Sequence, residues 1–128
     1  MAQVAKVEFT AYEASVFKAL DLIAAGSQLP RKGLIIIKPN LTNASPPPVT
    51  TPVGAAEAVL KYCRRHSRAE VAIGEGCGDG VTQDTFDANG YTRLARKYGI
   101  RLIDFNEERA VTVTLDRAFQ LKEFHLPV

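Results

Sequence analysis

The chain has 128 residues, of which 46% are hydrophobic and 23% are charged, a balance typical of one globular domain. The formal net charge of +2 is too small to indicate a nucleic-acid-binding protein. No apolar segment approaches the roughly 20 residues of a membrane-spanning helix, and residues 1–6 lack the pattern of a signal peptide. The two cysteines, Cys63 and Cys77, do not make a disulfide framework, so we expect a cytoplasmic protein.

The first part of the chain predicts a strand, a helix and a second strand. Residues 4–9 favour a short strand, and residues 12–25 carry apolar side chains at helical spacing, with Gly26 as the stop. The continuous apolar run at residues 34–37 is typical of a strand buried on both faces. Pro39 ends this strand because proline has no N–H to donate to a neighbouring strand.

A long irregular segment, residues 39–51, follows the second strand and is rich in proline. Loops of this length in compact domains are often functional. Thr51 and Pro52 then predict a helix start, with Thr51 as N-cap and Pro52 at the first helical position, and the helix extends to about residue 66. Residues 70–73 form the next predicted strand.

The last part of the chain predicts one or two helices and three strands. Gly90 interrupts the helical pattern, and Gly99 ends it. A strand is expected at residues 101–105. Residues 111–115 alternate apolar and polar side chains, and residues 119–126 are expected to pair with them as a hairpin.

This order of elements predicts an α/β fold in a single domain over residues 1–128. We expect a three-layer, mainly parallel, Rossmann-like sheet with helices on both faces and a C-terminal antiparallel strand pair. In such sheets the ligand crevice lies at the carboxyl ends of the strands. The segments that begin at Lys38, Gly74 and Asp104 should therefore converge at one edge of the sheet.

The glycine-rich segment Gly74–Gly80 is the strongest candidate for a binding loop, because its glycines allow a ligand to approach the backbone amides. Its glycine spacing matches neither the dinucleotide fingerprint nor the P-loop. The alternative is a turn that uses glycine for its backbone conformation alone. The segment after the preceding strand adds Lys38 as a point charge and Asn40 and Thr42 as neutral hydrogen-bonding groups.

Four further side chains carry possible chemistry. Glu75 and Asp79 suit a divalent cation or a substrate hydroxyl, or are solvated loop carboxylates. Cys77 is favoured as an inert thiol, because neither histidine is placed as its base. Asp104, followed by Asn106, suits a ribose hydroxyl or a metal, or begins a turn. The predicted ligand-binding residues are Lys38, Asn40, Thr42, Gly74, Glu75, Gly76, Cys77, Gly78, Asp79 and Asp104. No catalytic residue and no metal site are assigned.

Short segments that occur in order along the chain carry a family resemblance: residues 36–41, 48–52, 73–76, 90–91, 97–100 and 104–107. Together they resemble the amino-terminal half of the domain-of-unknown-function 362 family. The resemblance implies a prokaryotic cytoplasmic protein in a family whose members often carry ferredoxin-like iron–sulfur domains. Similar proteins continue past residues 126–127, so we expect the chain to be the N-terminal part of a larger domain.

Our leading hypothesis is a domain that binds a small anionic metabolite, bearing phosphate or carboxylate, at the C-terminal edge of the sheet, within a protein linked to redox metabolism. One alternative is a metal- or thiol-dependent enzyme that uses Glu75, Asp79 or Cys77. The other is a structural or docking module whose exposed edge is covered by the rest of the parent protein or by a homo-oligomer. No cofactor is identified, and two separated cysteines do not predict an iron–sulfur cluster in this chain.

Overall fold

Helices and strands alternate along most of the chain in a computed structural model that describes residues 3–128. The helices are α1 (Tyr12–Leu22), α2 (Val53–His66), α3 (Thr82–Ala88) and α4 (Tyr91–Tyr98), with a 3₁₀ turn at Ala25–Gln28. The strands are β1 (Leu34–Ile37), β2 (Glu70–Glu75), β3 (Leu102–Asp104), β4 (Ala110–Thr114) and β5 (Glu123–Pro127). Within the described residues, no helix has the length and apolar character needed to cross a membrane.

The strands form two separate sheets. β1, β2 and β3 make a parallel sheet in the order β1-β2-β3, with Ile37 opposite Ile73 and Glu75 opposite Asp104. β4 and β5 pair in antiparallel fashion. The predicted mixed α/β class, with a parallel sheet and a C-terminal antiparallel pair, is confirmed.

The two faces of the parallel sheet have different surroundings. Side chains of α2, α3 and α4 pack against one face in two apolar clusters, which contain Val71 and Ile73 of β2. The opposite face carries Leu34 and Ile36, which are 39% and 45% exposed. Helices were expected on both faces, whereas the described core contacts of α2, α3 and α4 lie on one. An all-apolar strand sequence indicates that the strand is buried, but it does not indicate which part of the protein covers each face.

Several predicted boundaries need correction. Residues 4–9 are irregular rather than a strand. The first helix ends at Leu22, and Gly26 lies in the 3₁₀ turn that follows, because Ala24 adopts a left-handed conformation (φ 52°) that helical residues do not tolerate. At α2, Pro52 rather than Thr51 occupies the N-cap position, and no side chain caps the helix.

The end of β2 is the boundary that matters most for the site. The strand was predicted to end at Ile73, but it continues to Glu75 because Gly74 and Glu75 pair with Ile103 and Asp104 of β3. Two residues that were assigned to the glycine loop therefore belong to the sheet. Hydrogen bonding to β3, a strand distant in sequence, decides where β2 ends. The residues around Ile73 do not indicate this pairing.

Candidate functional site

The carboxyl ends of the three parallel strands bring two loops into contact. We name them the proline loop (residues 39–51), which follows β1, and the glycine loop (residues 76–81), which follows β2. The carbonyl oxygen of Thr42 accepts hydrogen bonds from the Asp79 amide and from the Cys77 thiol, both at 3.0 Å. The predicted convergence of these loops is therefore confirmed.

Glu75 is the buried carboxylate of this edge, with 5% of the residue exposed. Its Oε2 atom accepts hydrogen bonds from Lys38 Nζ at 2.8 Å and from the Leu41 amide at 3.1 Å. Its Oε1 atom accepts a bond from the Gly76 amide at 2.9 Å. Both oxygens are thus satisfied by a cation and two backbone N–H groups, which offsets the cost of burying the charge. The side chain fastens the proline loop to the end of β2.

Lys38 lies at the solvent side of this pair. Its side chain is 57% exposed, whereas that of Glu75 is 7% exposed. Besides Glu75, the ammonium makes one long contact, 3.4 Å, with the carbonyl oxygen of Pro39. An ammonium has three N–H donors, so one remains directed away from these two acceptors. The cation is held in place and is accessible to a ligand.

Three of the six amides of the glycine loop donate hydrogen bonds inside the protein. The Gly76 amide bonds to Glu75, the Cys77 amide donates to Thr82 Oγ1 at 3.2 Å, and the Asp79 amide bonds to the proline loop. Among the described residues, the amides of Gly78, Gly80 and Val81 have no protein acceptor, and all three residues are exposed. The amides of Gly78 and Gly80 are the easier ones for a ligand to reach, because glycine has no side chain to obstruct them.

Two glycines of this region are required by packing. A Cβ atom at Gly74 would collide with the ring of Phe105, and a Cβ atom at Gly76 would lie 2.8 Å from Asn106 Oδ1. Gly78 has nothing within 4 Å of such an atom, while Gly80 has a φ of 107° that side chains rarely adopt. The first two glycines, Gly74 and Gly76, therefore allow close packing against the segment after β3, and the last two, Gly78 and Gly80, form the open tip of the loop.

Cys77 is buried, with 6% of the residue exposed. Its Sγ atom is 3.0 Å from the Thr42 carbonyl, 3.2 Å from the Asp79 carbonyl and 3.3 Å from Thr85 Oγ1. No histidine or carboxylate is among these partners, so the geometry provides no base to activate the thiol. The thiol joins the two loops.

Asp104 ends β3 and points its Oδ1 atom at two donors. The Thr82 hydroxyl donates to it at 2.8 Å, and the backbone amide of Asn106 donates to it at 2.9 Å. The Asn106 side chain donates in turn to the Cys77 carbonyl at 3.0 Å. Thr82 is not among the predicted site residues, and the sequence marks it only as a hydroxyl residue at the start of the helix after the glycine loop.

Asn40 and Thr42 are exposed and organise the proline loop. The Asn40 amide donates to Thr51 Oγ1 at 2.9 Å, its side chain donates to the Val49 carbonyl at 3.0 Å, and Thr42 Oγ1 lies 3.3 Å from Asn40 Oδ1. These bonds leave both side chains at the surface of the edge. They support the conformation of the loop that directly follows Lys38.

Tyr91, at the start of α4, lies fully buried under the proline loop. Its hydroxyl donates to the Thr51 carbonyl at 2.8 Å. Burial, and secondarily the negative charge of Glu75, raises the pKa of Tyr91 well above its ordinary value of 10.0. The hydroxyl therefore stays protonated and remains a hydrogen-bond donor over the neutral pH range.

The ten predicted site residues fall into distinct roles. Glu75 and Asp104 are engaged with protein donors, and the exposed polar groups are Lys38, Asn40, Thr42, Asp79 and the amides of Gly78 and Gly80. Within residues 3–128, no group of three or more histidine, cysteine, aspartate or glutamate side chains is arranged to hold a metal ion. The accessible chemistry is thus a single ammonium beside neutral donors and one exposed carboxylate.

Comparison with known proteins places the chain in a family. The model of the family described as "Domain of unknown function (DUF362)" matches residues 35–128, from β1 to the end of the described chain. The chain belongs to this family, which confirms the resemblance found in its sequence. Neither the curated proteins nor the solved structures that were searched contain a match to it.

Proposed function

We propose that the C-terminal edge of the parallel sheet binds a small anionic metabolite that carries a carboxylate or phosphate group. The observation that carries this proposal is the position of Lys38, whose ammonium is anchored 2.8 Å from a buried carboxylate while its side chain is 57% exposed. The ligand's oxygens contact this ammonium and the amides of Gly78 and Gly80.

The ion pair with Glu75 has two opposite effects on the affinity of Lys38 for an anion. Glu75 is fixed by two backbone amides, so the ammonium is held before a ligand arrives and less side-chain entropy is lost on binding. The same carboxylate compensates the charge of Lys38, which weakens its attraction for an anion. We therefore expect an affinity in the range of about millimolar, corresponding to about 4 kcal/mol.

The test is thermal unfolding of the protein with increasing sodium phosphate or sodium acetate at constant ionic strength. Binding to the native state alone adds about 1.4 kcal/mol at ten times the dissociation constant. Lys38→Ala should abolish this gain. Lys61→Ala is the matched control, because Lys61 also forms an exposed ion pair, with Glu13, far along the chain from the edge. Equal stabilisation of Lys38→Ala and the wild type would contradict the proposal.

We further propose that the domain works in the cytoplasm as part of a protein linked to redox metabolism. Support comes from the family resemblance, together with the free thiols of Cys63 and Cys77. The enzyme alternative has weaker support. Both oxygens of Glu75 are engaged, and the partners of Cys77 include no base.

A second candidate function is docking of another copy of this chain on the open face of the sheet, and a specific feature favours it. A cavity of ≈ 190 Å³ on this face is lined by Leu34, Ile36, Ile103 and Phe105, together with Arg101, Glu108 and, at the C-terminal end of β5, Pro127 and Val128. A two-fold dimer presents the same patch from both copies, so these apolar side chains pack against their counterparts in the second copy.

Light scattering after size-exclusion chromatography tests the docking proposal. We expect a concentration-dependent dimer that Ile36→Asp converts to a monomer. Leu22→Asp is the control, because Leu22 is 60% exposed on α1, outside the sheet. A wild-type monomer at all concentrations would contradict docking of a second copy.

A further inference from the structure

We infer that Asp104 is a positioning residue that holds the glycine loop through Thr82 and Asn106. This inference rests on the proposed function, because it concerns how the loop of the same site is kept in shape. It assigns to Asp104 a role different from direct contact with a ligand.

The network holds one residue of the loop, Cys77, through both its backbone N–H and its carbonyl group. The Cys77 amide donates to Thr82 Oγ1 at 3.2 Å, and the Cys77 carbonyl accepts from Asn106 Nδ2 at 3.0 Å. Asp104 Oδ1 in turn accepts from the Thr82 hydroxyl at 2.8 Å and from the Asn106 amide at 2.9 Å. A single carboxylate oxygen thus orders both groups that hold the Cys77 backbone.

The hydroxyl of Thr82 connects the two halves of this network. A hydroxyl has one O–H donor and accepts through its lone pairs. Because its proton goes to Asp104, its lone pairs face the Cys77 amide. Thr82 is 2% exposed, so water does not readily replace the lost bond if the hydroxyl is removed.

The loop has a particular need for such an anchor. Gly76, Gly78 and Gly80 alternate through it, and glycine loses more conformational freedom on ordering than any other residue. Fixing the Cys77 backbone restrains the middle of this run. It also leaves the exposed amides of Gly78 and Gly80 beside a fixed point, where they are available to a ligand.

Hydrogen exchange measured by mass spectrometry on the full chain tests this inference. Thr82→Val removes the hydroxyl at nearly constant volume, and Asp104→Ala removes the acceptor behind it. We expect both variants to accelerate exchange in peptides covering residues 76–82 by about fivefold, the effect of losing about one net hydrogen bond. Peptides from α2 serve as the internal reference and should be unchanged. Thr82→Ser, which keeps the hydroxyl, should restore the wild-type rate.

A ligand readout separates this inference from the proposed function. In wild-type protein that is stabilised by sodium acetate or sodium phosphate, Thr82→Val should lose at least half of that stabilisation, and Thr82→Ser should retain it. Wild-type exchange rates in both Thr82→Val and Asp104→Ala would overturn the positioning role. Wild-type protein that responds to neither anion would contradict the proposed function, and the exchange comparison would still decide the role of Asp104.

Discussion

Glu75 and Lys38 form an ion pair of 2.8 Å in which the carboxylate is buried and the ammonium is largely exposed. Burial of the carboxylate distinguishes the pair from the other ion pairs of the described residues, because the next least exposed acidic side chain among them, Glu57 beside Lys97, is 27% exposed. In a pair of this kind, the buried carboxylate has a structural role and the exposed ammonium is accessible to a ligand. The Glu75 carboxylate joins two loops, and the Lys38 ammonium is the group that we propose a ligand contacts.

Glu75→Gln should lower the free energy of unfolding by about 1–3 kcal/mol, because the amide side chain has only one acceptor oxygen for the Leu41 and Gly76 amides. Urea unfolding measures this difference. Glu70→Gln is the matched control, and its cost should be at most about 0.5 kcal/mol because its ion pair is exposed. Equal effects of the two substitutions would show that Glu75 does not anchor the proline loop.

Gly74→Ala should destabilise the protein by about 1–3 kcal/mol, since the added methyl group must displace the Phe105 ring within the sheet. Gly78→Ala should be nearly neutral, within about 0.5 kcal/mol, because a Cβ atom there meets nothing within 4 Å. The two free energies of unfolding, measured in urea, test the assignment of these glycines to packing and to an open loop tip. A larger cost for Gly78→Ala would reverse that assignment.

Tyr91→Phe should cost about 1 kcal/mol near neutral pH, through loss of the hydrogen bond to the Thr51 carbonyl. The pKa of Tyr91 is raised in the folded state, so the unfolded chain releases this proton first as pH rises past 10.0. The stability contributed by the protonated hydroxyl is therefore complete below that pH and declines above it.

The stability difference between wild type and Tyr91→Phe should consequently shrink at alkaline pH. Urea unfolding at neutral pH and above pH 10 measures it, and titration of other groups cancels in the comparison. A difference that stays constant with pH would mean that Tyr91 titrates alike in the folded and unfolded chain.

Local patterns predicted several elements closely. The run at residues 34–37 is β1 at its predicted boundaries, and Gly99 ends α4 with a left-handed conformation (φ 59°). Alternation at residues 111–115 predicted the strand that pairs with β5. These features depend on side-chain periodicity and on the backbone freedom of glycine, and both can be recognised from residues that are adjacent in the sequence.

Other predictions failed where distant residues decide the outcome. Residues 4–9 have a pattern compatible with a strand, but the structure gives them no strand partner. β2 extends two residues beyond its predicted end because β3 provides partners for Gly74 and Glu75. Strand formation depends on a neighbour, and a neighbour that is distant in sequence leaves no local signal.

The sequence by itself determined that the segments beginning at Lys38, Gly74 and Asp104 would meet at one edge of a parallel sheet, because parallel strands place their carboxyl ends at the same edge. It also selected Lys38 and the glycine segment as the groups to examine. Only the tertiary structure decided how these groups are used: Glu75 is buried against Lys38, Asp104 is engaged by Thr82, and Gly74 and Gly76 accommodate the segment after β3. Hydrogen-bond partners are set by three-dimensional proximity, and these partners are separated by 20 or more residues along the chain.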